Sequence, residues 1–592
     1  MPNANHKTLV VLSLATVLAA GGDAAQARGA LPGHCTGAPG VGAVDTAPLL
    51  PVPRKTEVRP FPTTGQGPGD PRYLESSPPL FQDLGSLHYP VTTGDPRAQR
   101  YFDQGLRLTY AFNHPEARRA FREAARLDPG CALCYWGEAL VLGPNINAPM
   151  EADALLPALA ALNKARARAP RASEREQALI SALGARYSDD PGAGRAALDA
   201  AYAEAMGKVA VRFPRDLDIQ VLYAEAAMDL SPWDHWEAGG GRPKGQTAEI
   251  LATLERVLEA KPDHPGAIHY YIHLVEASDR PGRAAPYADR LGALMPGAGH
   301  LVHMPFHIYF RSGRYLEALR VNEAAVEADE RYLQAASPTG IYAMAYFPHN
   351  VHSLLVSAQM AGDGKRAIAA AEKLTRLVTD EASRTVPWVQ PIAAAPYFAH
   401  ARFSTPETVL TMPGPHGGLP FVAALWHYAR GVAHAARRDL EAAVREAEAI
   451  GGIAIEADFS ALTAAGIPAI DVLTVARHVL EGRIAQARGD LAAARTAFDE
   501  AVAVQDRLAY AEPPNWYYPV RQSLGAVLLA TGDLDGAEAA FRASLRDAPN
   551  NGWALHGLAE VYRRQGRPQA EAEVRGRLAG TWAGSPPDLA RL

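Results

Sequence analysis

Three cysteines in 592 residues are too few to build a disulfide-stapled fold. Long Lys or Arg tracts are also missing, and 58 basic residues against 64 acidic ones leave a formal charge of −6, which makes nucleic acid and acidic membrane surfaces poor partners. The chain has no Gly-rich phosphate loop, no nucleophile elbow and no His-Glu-x-x-His pair, so the signatures of P-loop phosphoryl transfer, α/β-hydrolase chemistry and zincin proteolysis are absent. Cys134 is followed by Tyr135 rather than His, which removes the haem-attachment pattern. Runs of β-branched residues are few and no convincing strand is found. Abundant alanine and apolar residues at helical spacing predict an all-α protein.

His6 and Lys7 precede an apolar run from Thr8 to Ala20, and Ala25-Gln26-Ala27 offers small residues for cleavage before Arg28. That is the layout of a secretory signal peptide, with the mature chain periplasmic or secreted. The run is too short to span a bilayer comfortably, so no membrane insertion is expected after cleavage. No Cys follows the site, which argues against a lipid anchor. In an oxidising compartment Cys131 and Cys134 can close a local disulfide and leave Cys35 single, or Cys35 can pair with one of them. A lone Cys-x-x-Cys is weak support for zinc.

A repeat runs through most of the chain beyond the N-terminal region. Segments beginning at Pro265 and Gly299 lie 34 residues apart, as do those beginning at Tyr518 and Gly552. The clearest copy reads Leu524, Gly525, Leu528, Gly532, Ala537, Phe541, Ser544, Pro549, and another reads Gly105, Leu108, Ala117, Phe121, Ala124, Pro129. Weaker copies start near Cys131, Leu217, Pro348, Ala424 and Val475. These residues resemble the tetratricopeptide repeat, from about Asp95 to Ala579, and imply a right-handed solenoid of antiparallel helix pairs with irregular inserted loops. Small residues at helix crossings permit close approach, and each pair buries its apolar face against its neighbours. His300-Leu301-Val302-His303-Met304-Pro305-Phe306-His307-Ile308-Tyr309 and Tyr346-Phe347-Pro348-His349-Asn350-Val351-His352 are similar to segments of long exported bacterial tetratricopeptide-repeat proteins. That resemblance implies fold and export, and no activity.

The expected organisation is a signal peptide (1–27), a Pro/Gly-rich linker or extended arm lying on the solenoid (28–94), a first repeat array (95–400), a Pro/Gly-rich break (401–420), a second array (421–580) and a tail (581–592). The aromatic-rich loop Ser231-Pro232-Trp233-Asp234-His235-Trp236 with Gly239-Gly240-Gly241, and the break from Thr411 to Gly418, depart from the repeat. Such departures are where solenoids place specific function.

Eight of the nineteen histidines lie between His264 and His352, where even scattering would give about three. Side chains three and four residues apart share a helix face, so His269 with His273, His300 with His303 and His307, and His349 with His352 form stripes on three consecutive repeats. By the family resemblance these stripes occupy the positions that line the concave surface, joined there by Glu276. Neutral imidazole nitrogens suit copper, zinc, iron or nickel, and an i, i+4 pair completed by a histidine from the next helix leaves coordination positions open. Glu276 and Asn350 are placed to orient the rings.

A second reading is a peptide- or protein-binding groove without metal, in which histidines serve as hydrogen-bonding and pH-responsive contacts. Under the first reading the groove receives a small molecule, and the pattern does not separate hydrolysis from oxidation. Asn113-His114 and Asn145 to Asn147 read as turn and capping residues, with His114 outside the cluster. Trp233, Trp236, Trp388 and Trp426 are placed to form an aromatic wall or simply to pack between helices, and His427 and His434 should point away from the lining.

Overall fold

A computed structural model describes residues 71–592 apart from 191 and 416, with side chains from residue 73 onward. The expected signal peptide, Cys35 and most of the Pro/Gly-rich arm lie outside the described residues.

Helices follow one another from Pro96–Tyr110 to Pro568–Thr581, and the described residues contain no strand, only isolated bridges at Asn145–Ala148 and Trp236–Pro243. Short polar side chains start many of them: the carboxylates of Asp216, Asp363, Asp439, Asp490 and Asp533 each accept a backbone N–H in the first turn of the helix they cap. Successive helices pack against each other in pairs along the chain.

The pairing is held by one recurring contact, the small-against-aromatic packing of a tetratricopeptide-like array. Phe121 lies between two helices whose Gly105 and Gly137 have no room for a methyl group, since a Cβ on either would stand 2.6 or 2.5 Å from the ring. Phe541 does the same against Gly525 and Gly557, at 2.8 and 2.2 Å, and Phe498 against Gly482 at 2.6 Å. The helices Pro265–Val275 and Gly299–His303 begin where the 34-residue spacing places them, whereas the copies near Ala424 and Val475 fall inside the helices Pro420–Ala436 and Ala469–Arg488.

Residues 76–94 form an extended arm tied to the first helices. The amides of Phe81 and Tyr89 donate to Gln104 and Asp103, the amide and hydroxyl of Thr92 donate to Glu176, and Arg119 grips Ser76. Cys131 and Cys134 are disulfide-bonded at the start of the helix Ala132–Leu140. Around 401–420 the helix Gln390–Phe403 ends, a short helix Pro406–Thr411 follows, and the helix starting at Pro420 packs back on Gln390–Phe403.

The array does not keep to nearest-neighbour contacts. The helix Pro265–Val275 touches Pro96–Tyr110, the Tyr510 hydroxyl reaches Glu276, and Asn550 donates to the Gly313 carbonyl. These long-range contacts fill the inner side of the middle repeats. The histidine stripes, expected on an open concave surface, are therefore largely buried: His269 and His303 have no exposed surface and His273 keeps 4%, while His349 is half-buried.

Candidate metal centre

The helix Pro265–Val275 is capped by His264, whose Nδ1 accepts the Ala267 amide, and it carries His269 and His273 one turn apart. The next pair, Gly299–His303 and Pro305–Arg311, is nearly continuous because Met304 between them is itself helical. Pro305 supplies no N–H there, so the helical hydrogen-bond ladder is interrupted between His303 and His307. The third helix, Phe347–Met360, is entered through a wider π-type turn at Tyr342–Tyr346 and carries His349 and His352.

Six of these rings converge as two triads. One ring nitrogen from each of His269, His273 and His300 lies within 4.8 Å of the others, and the same holds for His303, His307 and His349. In the first triad His269 Nε2 and His300 Nε2 are 3.1 Å apart. In the second, His303 Nε2 lies 2.9 Å from His307 Nε2 and 3.2 Å from His349 Nε2. The triads adjoin: ring centroids of His273 and His307 are 5.3 Å apart, and those of His300 and His303 are 5.9 Å apart.

The partners behind the rings fix where the protons are. His269 Nδ1 lies 2.7 Å from the Tyr110 carbonyl oxygen, which can only accept, so Nδ1 carries the hydrogen and Nε2 a lone pair. His273 Nδ1 and His307 Nδ1 donate to the two oxygens of Glu276 at 2.8 and 2.7 Å. His303 Nδ1 donates to Asn322 Oδ1 at 2.7 Å, and the Asn322 amide is oriented by donating to the Ala318 carbonyl and Ser357. These bonds place a hydrogen on Nδ1 of four rings and aim their Nε2 atoms inward, the arrangement that metal-binding histidines require of their supporting partners. The buried His273 Nε2 and His300 Nδ1 have no hydrogen-bond partner among the described residues.

Glu276 joins the triads. Burial works to raise its carboxyl, but the positive charge available on His307 and the hydrogen bonds from His273 and His307 outweigh that and hold it far below the usual range. The Tyr510 hydroxyl lies 2.7 Å from Glu276 Oε2 and 3.0 Å from Glu512 Oε2. Burial, and then the charge of Glu276, push Glu512 well up, so this carboxyl keeps its proton one hydroxyl away from the ionised Glu276.

Aromatic rings close the site. Phe112 stacks against His273 and His300 and meets the His269 ring at 4.5 Å; Trp233 meets His273 at 5.2 Å; Tyr346 meets His300 at 5.2 Å. Phe112 and Trp233 are held at φ 53° and 64°, a left-handed backbone that costs a bulky residue about 1–3 kcal/mol. The Trp233 loop is fastened by the Asp279 amide donating to the Gly240 carbonyl, at a spot where a side chain on Gly240 would collide with the 277–279 backbone. Both left-handed residues press a ring onto the same triad.

Other residues fall elsewhere. His352 does not join a triad; its Nε2 lies 2.7 Å from the Tyr517 hydroxyl, because three residues beyond His349 the helix has turned toward the segment around Tyr517. Asn350 orients no ring, and its amide donates to Asp329 at 2.7 Å. His114 lies near Asn145 and meets the Phe112 ring at 6.1 Å without joining a triad, while His427 and His434 pair with Glu446 and Asp439 and Trp426 donates to the Met412 carbonyl, away from the triads. Trp236 pins its loop to the Leu274 carbonyl, and Trp388 backs Tyr346. Phe112, Asn322, Tyr510 and Glu512 are not legible as site residues, since loops and a second helix bring them in from distant parts of the sequence.

Burial alone depresses the His352 imidazole to about 3, against about 6.5 in an unfolded chain. Below pH 6.5 the unfolded state therefore binds a proton that the folded state refuses, so this stability is complete above pH 6.5 and declines as the pH falls toward 3. Between pH 7 and pH 5 the loss from this one residue is about 2 kcal/mol. Denaturant midpoints of metal-free protein at the two pH values should show it, and His352→Gln should lessen the pH dependence by a similar amount.

No protein-family model matches the chain, and no curated protein matches its sequence. Solved structures with partial overlap include the human IFIT1 dimer with m7Gppp-AAAA (TM-score 0.30, 12% identity, 83% of this chain and 91% of that one). Others are the yeast Tom70 (0.27, 12%, 82% and 90%) and the APC/C hetero-tetramer Cut9-Hcn1 (0.27, 13%, 83% and 94%). Overlap of this degree bears on neither ligand nor partner.

Proposed function

We propose that the two triads hold a pair of transition-metal ions, one on His269, His273 and His300 and the other on His303, His307 and His349. The observation that carries this reading is the 2.9 Å contact between His303 Nε2 and His307 Nε2. Both rings donate through Nδ1, so a cation, a proton or a metal ion, must lie between the two Nε2 atoms. Burial and the neighbouring histidines push the His303 imidazole well below its ordinary value, which disfavours a proton on that ring. Nitrogen separations of 2.9 to 3.2 Å suit two ligands on one ion at about 2.0–2.1 Å with an angle near 90–100°.

An all-imidazole set with no carboxylate ligand favours copper over iron or magnesium. Three histidines per ion would leave coordination positions open, and a copper pair held by these six residues would supply redox chemistry toward a small molecule. The protein's own part is to fix the ring tautomers, to keep water out with Phe112 and Trp233, and to hold a proton ready on Glu512. Closure by those rings favours a small guest over a peptide. Export, and hence copper loading outside the cytoplasm, rests on the sequence around Thr8 to Arg28.

Protein purified without a histidine tag, exposed in turn to copper, zinc, iron and nickel and freed of excess, should retain two equivalents of copper. A folded His303→Ala/His307→Ala variant should retain one. Retention of none of the four metals would overturn the proposal and leave a helical scaffold whose ligand is a partner protein.

A further inference from the structure

In the C-terminal half the helices Gln390–Phe403, Pro420–Ala436 and Ala469–Arg488 and the final residues enclose a cavity of about 570 Å³. Arg402, Arg438, Arg483 and Arg591 line it, and no Asp or Glu does. None of the four makes an ion pair among the described residues. Arg402 lies over the rings of Tyr518 and Trp553, at 4.4 and 4.9 Å. Arg483 donates to the neutral side chains of Gln486 and Ser523, at 3.3 and 3.4 Å, and is hydrogen-bonded to Tyr518. Arg438 and Arg591, more exposed, donate to the carbonyls of Ala487 and Ser404. The rest of the wall is largely apolar, with Phe398, Val409 and Val432 among it.

Arg402 and Arg483 are half-buried, and a guanidinium partly withdrawn from water ordinarily finds a carboxylate, because an unpaired desolvated charge is costly. Burial, and then the nearby charge of Arg402, depress the Arg483 guanidinium to about 10. Folding alone gives no reason to set two cations facing one hollow. Planar donor forks that converge beside an apolar wall are the recognition geometry for a carboxylate or phosphate, and the volume is that of a small-molecule site.

We propose that this cavity binds an organic oxyanion with an apolar body, its charged head between Arg402 and Arg483 and its body against Phe398, Val409 and Val432. The site is separate from the histidine triads and stands or falls independently of them.

Calorimetric titration of the full chain with decanoate, decyl phosphate and neutral decanol, each below its micelle concentration, tests it. At least one of the two anions is expected to bind, at least tenfold more tightly than decanol, and the stronger anion identifies the head group. Arg402→Met and Arg483→Met should each weaken that binding tenfold or more, while Arg437→Met, an exposed arginine already near Glu407, should not. A second readout needs no ligand: Arg483→Met should melt no lower than the parent, because it removes an uncompensated charge. Absence of binding by both anions at millimolar concentration, equal binding of decanol, or unchanged affinity in the arginine variants would overturn the proposal.

Discussion

Glu276→Gln should leave the protein folded and weaken its hold on one metal ion by about 10–100-fold. The carboxylate accepts Nδ1–H bonds from His273 and His307, one on each oxygen. A carboxamide of the same shape has one acceptor and one donor end. The ring that meets the NH2 must turn its Nδ1 into an acceptor, which moves its hydrogen to Nε2 and blocks the nitrogen aimed at the metal. Loss of such a supporting partner costs about 10–100-fold in metal affinity. Because Glu276 serves one histidine of each triad, competition against a chelator should show one ion weakened by that factor and the other less affected. Unchanged affinity at both sites would mean that the rings are not held as their hydrogen bonds imply.

The largest expected effect on stability lies beneath the first triad. Arg186 is buried against Asp229 at 2.6 Å, with Asp199 at 3.6 Å and its guanidinium over the Tyr202 ring. Burial first, and then the charge of Glu225, raise the Asp229 carboxyl, and burial likewise raises Glu225, so Arg186 is the charge that lets this buried acidic group form at all. Arg186→Met removes that charge and should destabilise the protein by about 3–5 kcal/mol, the range for breaking a buried pair from one side. Adding Asp229→Asn should recover part of the loss. Denaturant unfolding of the two variants measures both, and a loss below about 1 kcal/mol for Arg186→Met would show that the pair does not carry the stability assigned to it.

Much of the fold was legible because its determinants are local. Phe121 and Phe541 meet glycines at fixed spacing, so the helix pairs follow from the sequence alone. The site was legible only as far as its periodicity reaches. His269 with His273, and His303 with His307, are one-helix pairs, and helical spacing gives them directly. Division into two triads depends on how neighbouring helices meet, His300 facing His269 and His349 facing His303, which no spacing within one helix gives. Burial depends on contacts between residues more than a hundred positions apart, such as Tyr510 with Glu276 and Phe112 with His269, for which no local pattern exists. An exposed groove was therefore the natural expectation, and the extra chain from the Trp233 loop and the Tyr510 segment is what closed it.

Crystals of copper-loaded protein, measured on both sides of the copper absorption edge, address the central claim most directly. Two anomalous peaks are expected, one among the ring nitrogens of His269, His273 and His300 and one among those of His303, His307 and His349. Peaks elsewhere, or none within either triad in protein that has retained copper, would contradict it.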